Sequence, residues 1–144
     1  MQQSHHMLKS QIDTLYAKAH RLLYALDEDT CYADTLGTLR QQVTILVNTL
    51  IKQHSTNPEE EATLCLALLL GLIAINDNER KDTIITRTIK ILPQLPPTTL
   101  KVQLLTYLHI ETTDPAYAHQ ARLIATTCKD IPKSIQNDIM QVIG

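Results

Sequence analysis

The chain has 144 residues, the size of one ordinary domain. It carries 13 Lys and Arg against 15 Asp and Glu, a formal charge of −2, and its only aromatic residues besides histidine are five tyrosines. Domains that bind nucleic acid through its phosphates usually have a basic excess, so this balance argues against autonomous DNA or RNA binding. Any stacking platform for bases would have to be built from those few tyrosines.

Cysteine spacing and hydropathy favour a protein of the reducing cytoplasm. The three cysteines are far apart and form no C-x-x-C motif, which argues against a disulfide framework or a structural zinc site. The first ten residues contain no apolar segment of the kind that a signal peptide needs. The longest apolar run, 64–75, has 12 residues and is too short to span a bilayer.

Apolar residues recur with helical periodicity, and no segment reads as a strand. The first helix is expected from Ser4 or Ser10 to Leu26, with His20 at the edge of its apolar stripe and touching solvent. The second begins near Asp34 or Thr35, either of which can cap it. The expected stripes are Ile12, Leu15, Tyr16, Ala19, Leu22, Leu23 and Leu26 in the first helix, and Leu36, Leu39, Val43, Leu46 and Leu50 in the second.

The third helix, about 58–76, has the clearest start in the chain. Asn57 is a candidate N-cap, Pro58 suits the first helical position, and three glutamates follow where the helix dipole is positive. The next residues, ATLCLALLLGLIAI, are apolar on every face, which predicts a central helix surrounded by others. Gly71 lies within this run at a cost of about 1 kcal/mol relative to Ala, and a close helix crossing is one reason to keep it.

Four more helices are expected at about 79–92, 98–111, 115–128 and 132–143. Asn76, Asp77 and Asn78 separate the third helix from the fourth, prolines 93, 96 and 97 form a rigid connector, and Asp114 with Pro115 starts the sixth. The expected inward residues are Ile84, Ile85, Ile89 and Leu92, then Leu100, Leu104, Leu105 and Leu108, then Ala118, Ala121 and Ala125, then Ile135, Ile139 and Val142.

These elements predict an all-α fold. We expect a single compact domain over 1–144, with about seven helices packed as antiparallel hairpins around the central helix at about 58–76. A helical-repeat architecture is the alternative, although no 34-residue consensus is visible.

No catalytic or metal-binding motif stands out. The three glycines are isolated, which rules out a phosphate-binding loop, and no G-x-S-x-G elbow occurs. His109 and Glu111 match half of a nucleobase deaminase site, but the P-C-x-x-C half is missing. His5 and His6 lie at a terminus that supplies no rigid ligand geometry. We predict no enzyme activity, no metal and no cofactor.

The candidate binding residues form a cationic strip on the fourth helix. At 100° per residue, Arg80 and Arg87 lie about 20° apart and Lys90 lies about 60° further, all beside the apolar arc. Lys101, across the proline connector, extends the strip. A solvated helix face is the ordinary interpretation, and a surface for an acidic partner or a nucleic-acid backbone is the alternative. The first and seventh helices are further candidates for a dimer or docking face.

Three blocks of the sequence resemble the UpxZ family. They are AHRLLY at 19–24, PEEEATLCLALLLG at 58–71 and KILPQLPPTTLKVQLLTYL at 90–108. The resemblance extends from about Leu15 to Cys128 with the same order and similar spacing. The chain departs from the family pattern at Ile89, where an aromatic is usual, at Ala121-Arg122, which replaces an Ala-His pair, and in lacking most of an acidic C-terminal extension.

The resemblance implies a non-enzymatic repressor of capsular polysaccharide operons in Bacteroidales. Members of the family oppose noncognate UpxY-type antiterminators, which are NusG-like factors acting on elongating RNA polymerase. The implied partner is such an antiterminator, the polymerase elongation complex or both, with no membrane and no direct nucleic-acid contact; a homodimer is left open. The alternatives are a direct binder of a nascent leader RNA, a helical adaptor of unrelated function and a helical enzyme with a polar pocket.

Overall fold

A computed structural model describes residues 2–25, 33–128, 131–133 and 137. Within these ranges the chain forms six α-helices and a 3₁₀ turn, and no strand. They are α1 (Gln2–Ala25), α2 (Ala33–Leu50), α3 (Pro58–Ala74), α4 (Asn78–Ile91), the 3₁₀ turn (Leu92–Gln94), α5 (Thr99–Thr112) and α6 (Pro115–Thr127). The all-α prediction is confirmed. Most of the predicted seventh helix, with Ile135, Ile139 and Val142, lies outside the described residues, as do Leu26 and Cys31.

The chain divides into two compact units, Met1–Arg87 and Thr88–Gly144, and the division falls within α4. In the first unit α1, α2 and α3 all pack against one another, and in the second unit α5 packs against α6. The single domain expected from chain length stays a prediction.

α3 is the central helix of the first unit. Every residue from Leu64 to Leu72 is buried, as its all-apolar sequence predicts. Arg40 in the first half of α2 donates a hydrogen bond to the Ile75 carbonyl just beyond the end of α3, at 2.9 Å. Arg87 bonds both to Glu61 near the start of α3 and to Ile51 just after α2. Because the first half of α2 lies at the end of α3, and the end of α2 lies near the start of α3, these two helices are antiparallel, as predicted.

Gly71 lies at a close crossing of the three helices. A Cβ atom added there would lie 2.7 Å from Val47 Cγ2 and 3.2 Å from Leu15 Cδ1. Both distances are shorter than an ordinary carbon–carbon contact of about 3.5–4.0 Å. The reason predicted for this glycine is therefore confirmed: α1 and α2 approach α3 over a position that has no room for a side chain.

Polar caps begin three of the helices. The Asn57 side chain accepts a hydrogen bond from the Glu60 amide at 3.1 Å, and the Asp114 side chain accepts one from the Ala116 amide at 2.9 Å. Both caps are followed by proline, as predicted. The Asp77 carboxylate accepts from an amide of α4 at 3.1 Å. These caps satisfy amides that have no partner inside the helix.

In the second unit α5 and α6 form an antiparallel hairpin. Thr113, which follows α5, has a φ of 57°, and Asp114 starts α6 directly after it. At the other end, Cys128 Sγ donates a hydrogen bond to the Pro97 carbonyl at 3.4 Å. The end of α6 therefore lies beside the segment that precedes α5. Ala118, Ala121 and Ala125 are buried, as predicted.

The expected inward face of α4 is wrong at Ile89, which is 39% exposed, whereas Thr88 is fully buried. Thr88 follows Ile84 by four residues, so the two share one face of the helix. Ile89 is five residues from Ile84, about 140° away around the helix, which turns it toward solvent. Ile84, Ile85 and Leu92 are buried as predicted.

The remaining stripes are largely confirmed. Ile12, Leu15, Ala19, Leu22, Leu39, Val43, Leu50, Leu104, Leu105 and Leu108 are buried, while Tyr16, Leu23, Leu36, Leu46 and Leu100 are only half-buried. Val47 is fully buried in place of Leu46. α2 begins at Ala33, so Asp34 and Thr35 lie in its first turn and do not precede it as caps.

Candidate partner-binding surface

Arg87, the central residue of the predicted cationic strip, forms hydrogen bonds with other segments of the fold. Its side chain is 12% exposed and forms two hydrogen bonds with Glu61, Nε to Oε2 at 2.5 Å and a terminal nitrogen to Oε1 at 2.7 Å. It also donates to the carbonyls of Gln53 and Ile51, which follow α2. One guanidinium thus joins α4, α3 and the connection between α2 and α3. We call this group of four residues the Arg87 clamp.

The Glu61 carboxylate is ionised, as its ion pair with Arg87 requires. Burial alone raises its pKa, but hydrogen bonds from Arg87 and from the Ser55 amide, with the charges of Arg87 and His54, outweigh burial and hold the pKa below the ordinary value of 4.5. For Arg87, burial lowers the pKa, and the hydrogen bond and charge of Glu61 overcome it and raise the pKa instead. Both groups are therefore charged at neutral pH.

Arg80 is also engaged inside the first unit. Its Nε donates to the Asp77 carboxylate at 2.6 Å and a terminal nitrogen donates to Asn48 Oδ1 on α2 at 2.6 Å. The hydrogen bonds from Arg80 lower the pKa of Asp77 below its ordinary value. The side chain is still 35% exposed, so Arg80 presents part of its charge to solvent.

The two lysines of the strip differ from the arginines. Lys90 is exposed and makes no hydrogen bond or ion pair with any residue that the structure describes. Lys101 is half-buried and donates to the Leu95 carbonyl at 3.3 Å. Partner contact at Arg80, Arg87, Lys90 and Lys101 stays a prediction. Among the four, Lys90 has the freest charge and Arg87 the most enclosed.

The apolar stripe of α1 is a predicted docking face, but the structure shows a second surface, which is aromatic, on the outward side of this helix. Tyr16 and His20 are stacked with ring centroids 6.1 Å apart and an interplanar angle of 24°, and His20 and Tyr24 lie 4.3 Å apart at 37°. We call these three residues the α1 ladder. His20 is exposed as expected, and Tyr24 is 57% exposed. The sequence signal for the ladder is the spacing of four residues between Tyr16, His20 and Tyr24. The predicted apolar stripe of α1 includes Tyr16, so the spacing by itself does not indicate an exposed ladder.

The polar residues considered for chemistry are dispersed. Across the described ranges no three His, Cys, Asp or Glu side chains are grouped so as to hold a metal ion. His109 Nδ1 lies 3.5 Å from the Asp114 carbonyl, within the α5–α6 connection. Cys65 is fully buried in α3, where a thiol acts as a small hydrophobe. None of the described helices is long and apolar enough to cross a membrane.

This arrangement is that of a small all-α protein, whose described helices are held by buried leucines and by the enclosed pair of Arg87 and Glu61. Its sequence matches the model of the UpxZ family of transcription anti-terminator antagonists over residues 12–109. A crystal structure of a transcription anti-terminator antagonist UpxZ from Bacteroides uniformis is similar, with a TM-score of 0.80, 34% identity, and coverage of 94% of this chain and 89% of that chain. No curated protein matches. The chain belongs to the UpxZ family, and the resemblance carried by its three sequence blocks is confirmed.

Proposed function

We propose that this protein represses noncognate capsular polysaccharide operons by binding a NusG-like antiterminator of the UpxY type, without catalysis. The observation that carries the proposal is membership of a family of anti-terminator antagonists, over 98 contiguous residues that include α3 and α4. The antagonism is thus a family property. The NusG-like partner and the capsular operons are what the sequence resemblance implies for this chain.

Binding to protein fits the charges better than binding to nucleic acid. A protein that binds nucleic acid through roughly 6–10 phosphates needs about as many available Lys and Arg side chains. The chain has a formal charge of −2, and two of the cations proposed for contact, Arg80 and Arg87, already bond to Asp77 and Glu61. A protein partner can bind through hydrophobic and polar groups, so its binding needs fewer available cations.

Such an antagonist acts by occupancy. A helical domain that covers the surface by which the antiterminator engages polymerase prevents that engagement for as long as it stays bound. A stable complex of this kind buries about 1,200–2,000 Å² in total, which is within reach of one face of a 144-residue protein. Specificity for noncognate antiterminators then depends on side chains at the rim and centre of that face.

The test is a binding experiment with purified components. The protein is immobilised and offered the cognate and a noncognate antiterminator separately, each with and without RNA polymerase. We expect retention of the noncognate antiterminator in the absence of polymerase, and loss of its antitermination activity in a transcription assay across an operon leader. Retention of polymerase alone, or of neither protein, overturns the proposal, and the cognate antiterminator is the matched control for specificity.

A further inference from the structure

The outward face of α1 is basic, in a chain that is acidic overall. α1 contains Lys9, Lys18 and Arg21 against one acidic residue, Asp13, a net formal charge of +2 in a chain of −2 overall. Lys9 and Arg21 are exposed and form no ion pair with any residue in the described ranges. Lys18 donates to Gln42 on α2 at 2.9 Å, so its charge is partly committed.

The α1 ladder lies on the same face. Tyr24 follows Arg21 by three residues, which places the two side chains next to each other on the helix surface. Among the tyrosines that the structure describes, Tyr24 is the one that is more than half exposed. Its ring lies against that of His20, with centroids 4.3 Å apart, and a tyrosine has few side-chain torsions to restrict on binding. Tyrosine and arginine are also the side chains that most often dominate binding energy at protein interfaces.

The inner face of α1 holds this surface in position. Ile12, Leu15, Ala19 and Leu22 are buried, and α1 packs against both α2 and α3. A helix anchored along one side in this way presents its other side as a fixed platform. The ladder therefore lies on a helix that its buried side holds in place.

We infer that the α1 ladder with Arg21 is the contact surface for an acidic region of the antiterminator, an inference that rests on the proposed function. Carboxylates of the partner complement Arg21 and Lys9, and an apolar side chain of the partner packs on the open face of Tyr24. A single-stranded RNA also offers negative charge and flat rings. RNA is the weaker match, because Lys9 and Arg21 provide only two cations on this face, whereas binding through roughly 6–10 phosphates needs about as many.

The experiment measures the affinity of a purified noncognate antiterminator for the wild type, for Arg21→Glu, and for the double variant Arg21→Glu/Tyr24→Ala. The matched control is Ile45→Ala/Lys52→Glu, which removes a similarly exposed apolar group from α2 and reverses one exposed charge of the same unit. We expect about 30-fold weaker binding by the double variant and less than a twofold change for the control. Circular dichroism checks that each variant is folded, and the single variant serves if the double one is not.

The outcomes separate this inference from the proposed function. If the wild type binds the antiterminator and the ladder variants bind equally well, the inference is overturned and the function stands. If the wild type does not bind the antiterminator, both are overturned. If the ladder variants lose affinity for a labelled single-stranded leader RNA and keep it for the antiterminator, the surface is a nucleic-acid site and the inference is again overturned. A weaker salt dependence of binding by Arg21→Glu supports it.

Discussion

The guanidinium of Arg87 on α4 forms a bidentate ion pair with the carboxylate of Glu61 on α3, with nitrogen–oxygen distances of 2.5 and 2.7 Å. The two side chains are only 12% and 10% exposed. Because the same guanidinium also bonds to two carbonyls that follow α2, the pair holds three segments together. Removing either partner leaves the other charge enclosed with unmet hydrogen bonds, which is costly in a protein interior.

Arg87→Met is expected to lower the free energy of unfolding by about 3 kcal/mol. The reason is the unpaired Glu61 carboxylate, since the methionine itself preserves most of the apolar contacts of the arginine stem. Urea denaturation of the wild type, Arg87→Met, Glu61→Gln and the double variant forms a double-mutant cycle. A coupling free energy near zero would contradict a structural role for the pair.

The Glu61 pKa predicts a specific loss of stability in acid. Its folded pKa lies below its ordinary value of 4.5, so the carboxylate stabilises the fold fully above about pH 4.5. That contribution disappears as the pH falls from there through the folded pKa, because the unfolded chain then binds the proton first. Unfolding free energies measured from pH 7 to pH 3 should therefore fall more steeply for the wild type than for Glu61→Gln. Parallel curves would show that Glu61 is not the group responsible.

Gly71→Ala is expected to destabilise the protein by about 1–3 kcal/mol, because the new Cβ would lie 2.7 Å from the stiff Val47 side chain. This loss exceeds the helix-propensity gain of up to about 1 kcal/mol. Gly37→Ala on α2 is the matched control, since no atom lies within 4 Å of its added Cβ. Thermal unfolding should show a lower midpoint for Gly71→Ala and an unchanged or higher one for Gly37→Ala. Equal midpoints would rule out the close crossing.

Charge reversal separates the two kinds of residue in the cationic strip. Lys90→Glu should change the free energy of unfolding by no more than about 0.5 kcal/mol, because Lys90 is exposed. Arg87→Glu should be strongly destabilising, because it places a second carboxylate beside Glu61. Chemical denaturation measures the free energy of unfolding of both variants. With stability unchanged, weaker antiterminator binding by Lys90→Glu supports partner contact at the strip, whereas unchanged binding excludes Lys90 from the interface.

Features that depend on neighbours in the sequence were predictable. The caps at Asn57 and Asp114 act on amides two or three residues away, so the local sequence contains all that they need. Buried stripes follow from periodicity, because one face of a helix must meet the core. The exception is Ile89, which lies at the edge of the apolar arc and faces solvent, whereas the smaller Thr88 occupies a buried position.

Features that depend on distant residues were not predictable from the sequence. A helical wheel places Arg87 beside the apolar arc, but it cannot show that Glu61, 26 residues earlier, lies within hydrogen-bond distance. The same limit applies to the α1 ladder. Its spacing is visible in the sequence, yet whether Tyr24 is buried or open depends on how closely α2 and α3 cover α1.

The amino-acid sequence by itself determined the helical class, most boundaries of the described helices to within a few residues, the central position of α3 in its unit and the family. All of these follow from short-range hydrogen bonding, apolar periodicity or sequence blocks. Only the tertiary structure decided which charges are enclosed and which face outward, because pairing and solvent exposure are set by atoms brought together from distant parts of the chain. The tertiary structure shows that Arg87, predicted as a surface cation, is enclosed and paired with Glu61. It also shows that α1 has an aromatic outward face.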